Sequence, residues 1–289
     1  MDNVIRNNTG SQENLPSTSS VEPICRKVSQ ISCITAPNRK RTHTENDYPD
    51  HVAPKNRKKF IYGNYDRYYG YRNIEETPKE DVRLQAFIEQ KHLITGKRVL
   101  DIGCNNGSLT ILIALHCQPT SVVGIDIDGD LIGSARRHLT AKLKSCLAEK
   151  IDTTPLKSVE FRRANYVYQD EELLKNEKPQ FDVIFCLSVT KWIHLNFGDA
   201  AIKLTFRRVF RQLCDGGIFV LEAQPWSSYK RKKKLTPQIY ENFKQIQFRP
   251  DEFCRFLMGD EIGFRETFEL KTASHVMKGF RRPIHIFRK

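Results

Sequence analysis

Apolar positions along this chain come in short blocks separated by turn residues, and the blocks alternate between two periods. Val99 to Ile102 reads as a buried strand and Ser108 to Leu115 as the helix that follows it. Ser121 to Ile125 and Val159 to Arg162 are further strand candidates. Phe181 to Cys186 is nearly all apolar, as a strand covered on both faces must be. Helical spacing recurs between them. From Asp130 to Ala148 the apolar residues are Leu131, Ile132, Ala135, Leu139 and Leu143, and within Asp81 to Lys91 they are Leu84, Phe87 and Ile88, with Arg83 just off the stripe. Leu187 to Asn196 reads as the exit of the fourth strand. A helix from Gly198 to Leu213 then stops at Cys214-Asp215-Gly216-Gly217 before a fifth strand, Ile218 to Glu222. Such alternation predicts an α/β fold with a doubly wound, parallel sheet and with ligands outside the C-terminal strand ends. Gly103, Asp126, Asn165 and Leu187 all fall there.

Residues 1–58 show neither period and are rich in Ser, Thr, Asn, Pro and charge, so they are expected to be a disordered basic tail ahead of one domain at 59–289. Two basic clusters, Asn38-Arg39-Lys40-Arg41 and Lys55-Asn56-Arg57-Lys58-Lys59, have a spacing that could serve as a nuclear import signal; the alternative is solvated tail charge. Phe60 to Arg72 interleaves five tyrosines with two glycines and two arginines. It fits neither period, and reads as a pocket lining or as a cover packed on the sheet.

Charge narrows the partner. Lys and Arg total 47 against 34 Asp and Glu, a net +13 that favours a polyanion, with nucleic acid foremost. The eight cysteines form no Cys-x-x-Cys pair, so neither a metal site nor a disulfide framework is expected and the compartment is expected to be reducing. No stretch reaches the roughly 20 apolar residues of a membrane span, and a monomer is expected.

The chemistry centres on Asp101-Ile102-Gly103-Cys104-Asn105-Asn106-Gly107. Glycines between a strand and a helix let a ligand lie against the main chain at the helix N-terminus. A dinucleotide site wants Gly-x-Gly-x-x-Gly, but the middle position here is Asn105 and no phosphate-binding Gly-Lys-Ser/Thr follows. Asp126, about 20 residues on, ends the second strand where a carboxylate can hold ribose hydroxyls. These features point to an adenosyl cofactor without phosphate, hence S-adenosylmethionine.

Longer motifs carry a more specific likeness. They are Tyr62-Gly63-Asn64-Tyr65 with Tyr68-Tyr69-Gly70-Tyr71-Arg72, then Leu100 to Asn105, Gly124 to Asp128, Asn165-Tyr166, Cys186 to Asn196, Gln224 to Tyr229, and Lys278 to Pro283. In this order they resemble the bicoid-interacting-protein type RNA methyltransferases, and among them the methylphosphate capping enzymes. Departures are Ala223, Phe197 and Cys214-Asp215, where proline, tryptophan and Arg-Pro are usual. The resemblance implies a class I S-adenosylmethionine-dependent methyltransferase fold, Rossmann-like, with an antiparallel C-terminal strand. It implies a nuclear RNA 5′-phosphate O-methyltransferase that caps the γ-phosphate of a small nuclear RNA of the 7SK type, with ribonucleoprotein proteins as further partners. Two other readings stand beside it, an RNA-binding scaffold with little turnover and a 5′-monophosphate RNA methyltransferase.

By the same resemblance Tyr69, Arg83, Gly103, Cys104, Asn105, Asp126, Ile127, Asn165, Tyr166 and Leu187 surround the cofactor. Physics supports a ribose acceptor at Asp126, a carboxylate clamp at Arg83 and an adenine reader at Asn165; the alternatives are a helix cap, a solvated charge and a turn residue. Tyr68 and Lys191 are expected to position the RNA 5′ end without a general base. Trp192 and Trp226 are candidates for base stacking or for core, and Lys230, Arg231, Lys232, Lys233 and Lys234 for tracking the RNA backbone. His194 is expected to be structural.

Overall fold

A computed structural model describes residues 60–65, 81–271 and 282–289. The expected basic tail lies outside these residues, as do Tyr68, Tyr69 and Lys278 to Arg281.

Seven strands form one sheet. They are β1 (Arg98–Ile102), β2 (Ser121–Asp126), β3 (Val159–Arg163), β4 (Phe181–Leu187), β5 (Leu213–Glu222), β6 (Glu266–Leu270) and β7 (Ile284–Arg288), in spatial order β3-β2-β1-β4-β5-β7-β6. The first five are mutually parallel, and β7 runs antiparallel to both of its neighbours. The helices α1 (Val82–Glu89), α2 (Ser108–Cys117), α3 (Gly129–Ala148), α4 (Thr154–Lys157) and α5 (Thr190–Gln212) precede, join and follow these parallel strands, and α6 (Trp226–Lys230), α7 (Pro237–Gln245) and α8 (Phe253–Met258) follow β5. The strand order reverses between β1 and β4, which opens a crevice at their C-terminal ends. Successive strand residues point to opposite faces and enter two separate cores. Val99, Val183 and Phe185 pack in one, and Leu100, Ile184 and Cys186 in the other.

Two boundaries differ from the sequence reading. The exit of β4 is not a loop: α5 begins at Thr190, and Gly198 (φ 79°, ψ −174°) breaks it in the middle. Gln224 fixes this early start, because its Oε1 accepts from the Lys191 amide at 3.1 Å and the Thr190 hydroxyl at 3.2 Å. A cap supplied from more than thirty residues away leaves no local trace. Likewise Cys214 to Gly217 is not a stop between helix and strand. It belongs to β5, which pairs Leu213 with Phe181 and Ile218 with Val183 across an irregularity. Gly216 (φ 73°) absorbs the bend, and its N–H donates to the Lys289 carbonyl at 3.2 Å.

Behind the crevice lies a buried polar cluster. Arg208 donates to Glu177 Oε1 at 2.8 Å and to the Tyr166 carbonyl at 2.6 Å, with its guanidinium between the rings of Tyr166 and Tyr168. Gln212 joins Glu177 to the Tyr166 hydroxyl through two bonds of 2.8 Å. The Arg208 and Glu177 side chains are 3% and 7% exposed, so removing one leaves the other charged in a dry site. Glu177→Ala is expected to lower unfolding free energy by about 3–5 kcal/mol, read from the urea midpoint at unchanged slope.

Candidate active site

The crevice is walled by the C-terminal ends of four strands. Asp101, Ile102, Gly103 and Asn105 come from β1 and its loop, Ile125, Asp126 and Ile127 from β2, Ala164 to Val167 from beyond β3, and Leu187 to Val189 from β4. Arg83 enters from α1, and Trp192, Ile193 and Phe197 from α5; Tyr62, Gly63 and Asn64 cover it.

The turn after β1 works through main-chain geometry. Gly103 (φ 74°) lies so close to Val189 that a Cβ would collide with its methyl Cγ2. The Gly103 and Cys104 amides donate to the Ile125 carbonyl at 2.8 and 3.0 Å, tying β1 to β2. Asn105 follows at φ 54°, and its amide donates to Asp126 Oδ2 at 3.0 Å, while the Asp128 amide donates to Asp126 Oδ1 at 2.9 Å. The Asp126 carboxylate is thus fixed at the pocket wall. Burial outweighs these bonds and pushes its pKa up to about 6.

Asp101 sits deeper, accepting from Thr110 Oγ1 at 2.6 Å, and burial raises it also to about 6 despite the bond and the nearby Arg83. Arg83 is no solvated helix charge. Its Nε and Nη2 donate to the two Asp81 oxygens at 2.9 and 2.7 Å, and Nη1 donates to Glu222 Oε2 at 2.6 Å. Three of its five donors therefore meet protein carboxylates at the pocket edge.

Two acceptors in the pocket are unmatched. Asn64 Oδ1 and Asn105 Oδ1 are buried with no hydrogen-bond partner among the described residues. Buried acceptors without donors are rare, and here both belong to residues that line the cavity beside fixed carboxylates and bare main chain. A ligand rich in hydroxyl and amino donors with an apolar body fits this set, as the adenosyl and methionyl parts of S-adenosylmethionine do.

Other expected residues divide. Ile127, Asn165, Tyr166 and Leu187 line the pocket. Asn165 also makes a turn, with Oδ1 accepting from the Val167 amide at 3.0 Å, so cofactor and turn roles are compatible. The Tyr166 hydroxyl bonds Gln212 in the buried cluster. Cys104 does not line the pocket: it is 2% exposed and packs in the core near Gly124. Any contact from Cys104 is main-chain.

Lys191 stands outside the pocket, behind Trp192. Its Nζ donates to Ser228 Oγ at 2.8 Å and lies 4.3 Å from the Trp192 ring. Burial, then the positive charges of Arg282, Lys232 and Arg231, lower its pKa to about 7. Arg282 Nη1 donates to Ser188 Oγ at 2.6 Å and lies 4.0 Å from Glu222 Oε1, so Glu222 spans the arginines of both ends of the site. Trp192 lines the pocket and is covered by Gly63, whose missing Cβ would collide with the indole. Trp226 is not an open stacking platform, since it stacks on Phe243 at 4.9 Å with Arg249 near its ring. Lys232 approaches the Tyr65 ring and Lys233 that of Phe243, while Lys230, Arg231 and Lys234 are exposed. His194 is fully buried, with Nε2 2.6 Å from Asp199 Oδ1 and Nδ1 3.4 Å from the Tyr229 hydroxyl.

Asp101, Glu222, Gln224 and Arg282 were not singled out from the sequence. Asp101, Gln224 and Arg282 lie inside the motifs above and Glu222 ends the fifth strand, but neither a motif nor a strand pattern says which side chains meet in the site. Asp101 carries a stability prediction. Its folded pKa of about 6 exceeds the ordinary 3.8, so between about pH 4 and 6 the folded state holds a proton that the unfolded chain has lost. The contribution of Asp101 to stability therefore falls as pH rises through that window. Asp101→Asn is expected to stabilise the ligand-free protein by about 2 kcal/mol above pH 6, with the gain gone near pH 4, in thermal melts across pH.

Comparison with known proteins agrees with this geometry. The family model for Bicoid-interacting protein 3 (Bin3) matches residues 181–289, and a methyltransferase-domain model matches 100–219. The chain is 45% identical over 233 residues to the U6 snRNA methylphosphate capping enzyme Amus of Drosophila melanogaster, covering 80% of this chain and 75% of that protein. It is 37% identical to the 7SK snRNA methylphosphate capping enzyme of Mus musculus over 81% of this chain, which spans 41% of that protein's length. The pre-miRNA 5′-monophosphate methyltransferase of Xenopus laevis is 29% identical, over 66% of this chain and 78% of its own. The fold, the pocket at the strand reversal and these relatives together place the chain in the Bicoid-interacting protein 3 family of S-adenosylmethionine-dependent RNA methyltransferases.

Proposed function

We propose that this protein methylates the γ-phosphate at the 5′ end of a small nuclear RNA and acts in the nucleus, as a methyltransferase domain at 59–289 behind a basic tail. One observation carries the reading. Lys191, buried and bonded to Ser228, belongs with Arg282, Arg231 and Lys232 to a cluster of positive charge against Trp192, which itself lines the cofactor pocket. Crowded cations with a desolvated amine favour a ligand bearing several negative charges close together.

Bound S-adenosylmethionine supplies an activated methyl that a phosphate oxygen takes directly, leaving S-adenosylhomocysteine. No residue has to remove a proton, because a terminal phosphate, with a second pKa near 6, is already largely ionised at neutral pH. The chain's task is to bind and orient, and lysine and arginine donors suit it. Lys191, the Ser228 hydroxyl bonded to it, and Arg282 hold the phosphate, while Asp126, Asn105 and Gly103 fix the adenosyl end. His194 is unsuited as a base, being tied to Asp199 and Tyr229 away from the pocket. Lys230 to Lys234 then guide the RNA backbone.

The relative named for monophosphate ends is the more distant in sequence, and Tyr62, Gly63 and Asn64, from the first motif of the capping likeness, line the pocket. A scaffold without turnover would have no need of a pocket lined by residues with unpaired buried acceptors. Labelled methyl transfer to triphosphate, monophosphate and 5′-hydroxyl forms of one RNA tests all three readings. Label is expected on the triphosphate form; strong labelling of the monophosphate alone supports that alternative, and none supports the scaffold.

Lys191 gives a second expectation. With a pKa of about 7 it is mostly neutral at pH 8, where the phosphate is already fully ionised. A bound polyanion favours the charged amine, so RNA binding at pH 8 is expected to take up close to one proton. Calorimetry in buffers of different ionisation enthalpy measures this, and Lys191→Met is expected to abolish it.

A further inference from the structure

Asn64 belongs to a short covering segment held at several points. Its Nδ2 donates to Asp128 Oδ2, and Asp128 uses Oδ1 to cap α3 through the Asp130 and Leu131 amides at 2.8 and 3.3 Å. One residue back, Gly63 rests on the Trp192 indole at a distance that admits no Cβ, and at φ 71° it takes a conformation suited to glycine. Two residues further back, the Ile61 carbonyl accepts from Asn196 Nδ2 at 2.8 Å. These contacts leave the Asn64 amide little freedom to turn. With Nδ2 committed to a carboxylate, Oδ1 is fixed as an acceptor; it is buried, has no donor among the described residues, and belongs to a residue that lines the pocket.

A buried acceptor left unpaired is costly, and a flip of the amide would not relieve it, because oxygen would then face the Asp128 carboxylate. A donor supplied by the ligand relieves it. Asp128 is two residues past Asp126, so Asn64 is tethered close to the wall proposed to hold the ribose. We infer that Asn64 is a cofactor-contacting residue: its side-chain oxygen accepts a hydrogen bond from bound S-adenosylmethionine while Asp128 holds its amide in place. This rests on the cofactor pocket and not on the identity of the methyl acceptor.

Binding of S-adenosylhomocysteine to the full chain without RNA, followed by calorimetry, tests the inference apart from any activity. Wild-type binding checks the pocket itself. Asn64→Ala is expected to weaken this ligand at least fivefold. Four analogues then identify the contact, lacking in turn the 2′-hydroxyl, the 3′-hydroxyl, the amino group of the homocysteine part and the 6-amino group of adenine. With one of them the wild type and Asn64→Ala are expected to bind equally, because the donor that Asn64 meets is gone. A penalty that persists with all four analogues would show that Asn64 acts only by holding the covering segment, and no penalty with the parent ligand would also overturn the inference. Asn64→Ser, whose hydroxyl falls short of the carbonyl position, is expected to give the same pattern and serves if the alanine variant melts early.

Discussion

Glu222 and Gln224 leave β5 with their side chains buried, and what those side chains hold fixes both ends of the site. Gln224 donates to the Ser188 carbonyl and accepts from Thr190 and Lys191, so the turn after β4 and the start of α5 are set by one amide. Glu222 meets Arg83 on the cofactor side and lies near Arg282 on the other. A buried carboxylate or amide is tolerated only when its partners are in place, and that demand spaces the pocket from the cationic cluster. Ser188, in a left-handed conformation (φ 63°) between them, receives the Arg282 bond and turns the chain from strand into helix.

The titratable groups of the site are poorly solvated. Asp101 and Asp126 are pushed up and Lys191 is pushed down, all chiefly by burial. Each shift means that the charged form lacks the solvation it would have in water and gains from a complementary ligand. The cofactor end lacks donors and the acceptor end carries an excess of cations. The two deficits suit two different ligands, an adenosyl compound with hydroxyl and amino groups and a polyphosphate. Trp192 separates them, lining the pocket with one part of its indole while Lys191 Nζ lies against its ring.

The aromatic residues were the least legible from sequence, because a tryptophan or tyrosine fits a core and a nucleic-acid platform equally well. Trp226 was open to both readings, and its face is taken by Phe243 in a small cluster with Leu195, Tyr229 and Ile239. His194 shows the opposite outcome. It was expected to be packed and bonded, and Asp199 and Tyr229 hold it so.

Local sequence by itself determined the five parallel strands, the glycine turn after β1 and the acidic end of β2, but not β6 or β7. Those features depend on periodicity over a few residues and on glycines at positive φ, which are written in neighbouring positions. It also marked the cofactor class, because the glycine spacing and Asp126 lie within one strand-turn-helix-strand unit. Tertiary structure alone decided the start of α5, the bend within β5, the inward turn of Asp101 and the core packing of Cys104. It also decided the burial of Arg83 between two carboxylates and of Lys191 among cations. Each depends on a partner distant in sequence, such as Gln224 for Thr190 or Glu222 for Arg83. A pattern of residue types records that such partners exist and leaves open where folding will bring them.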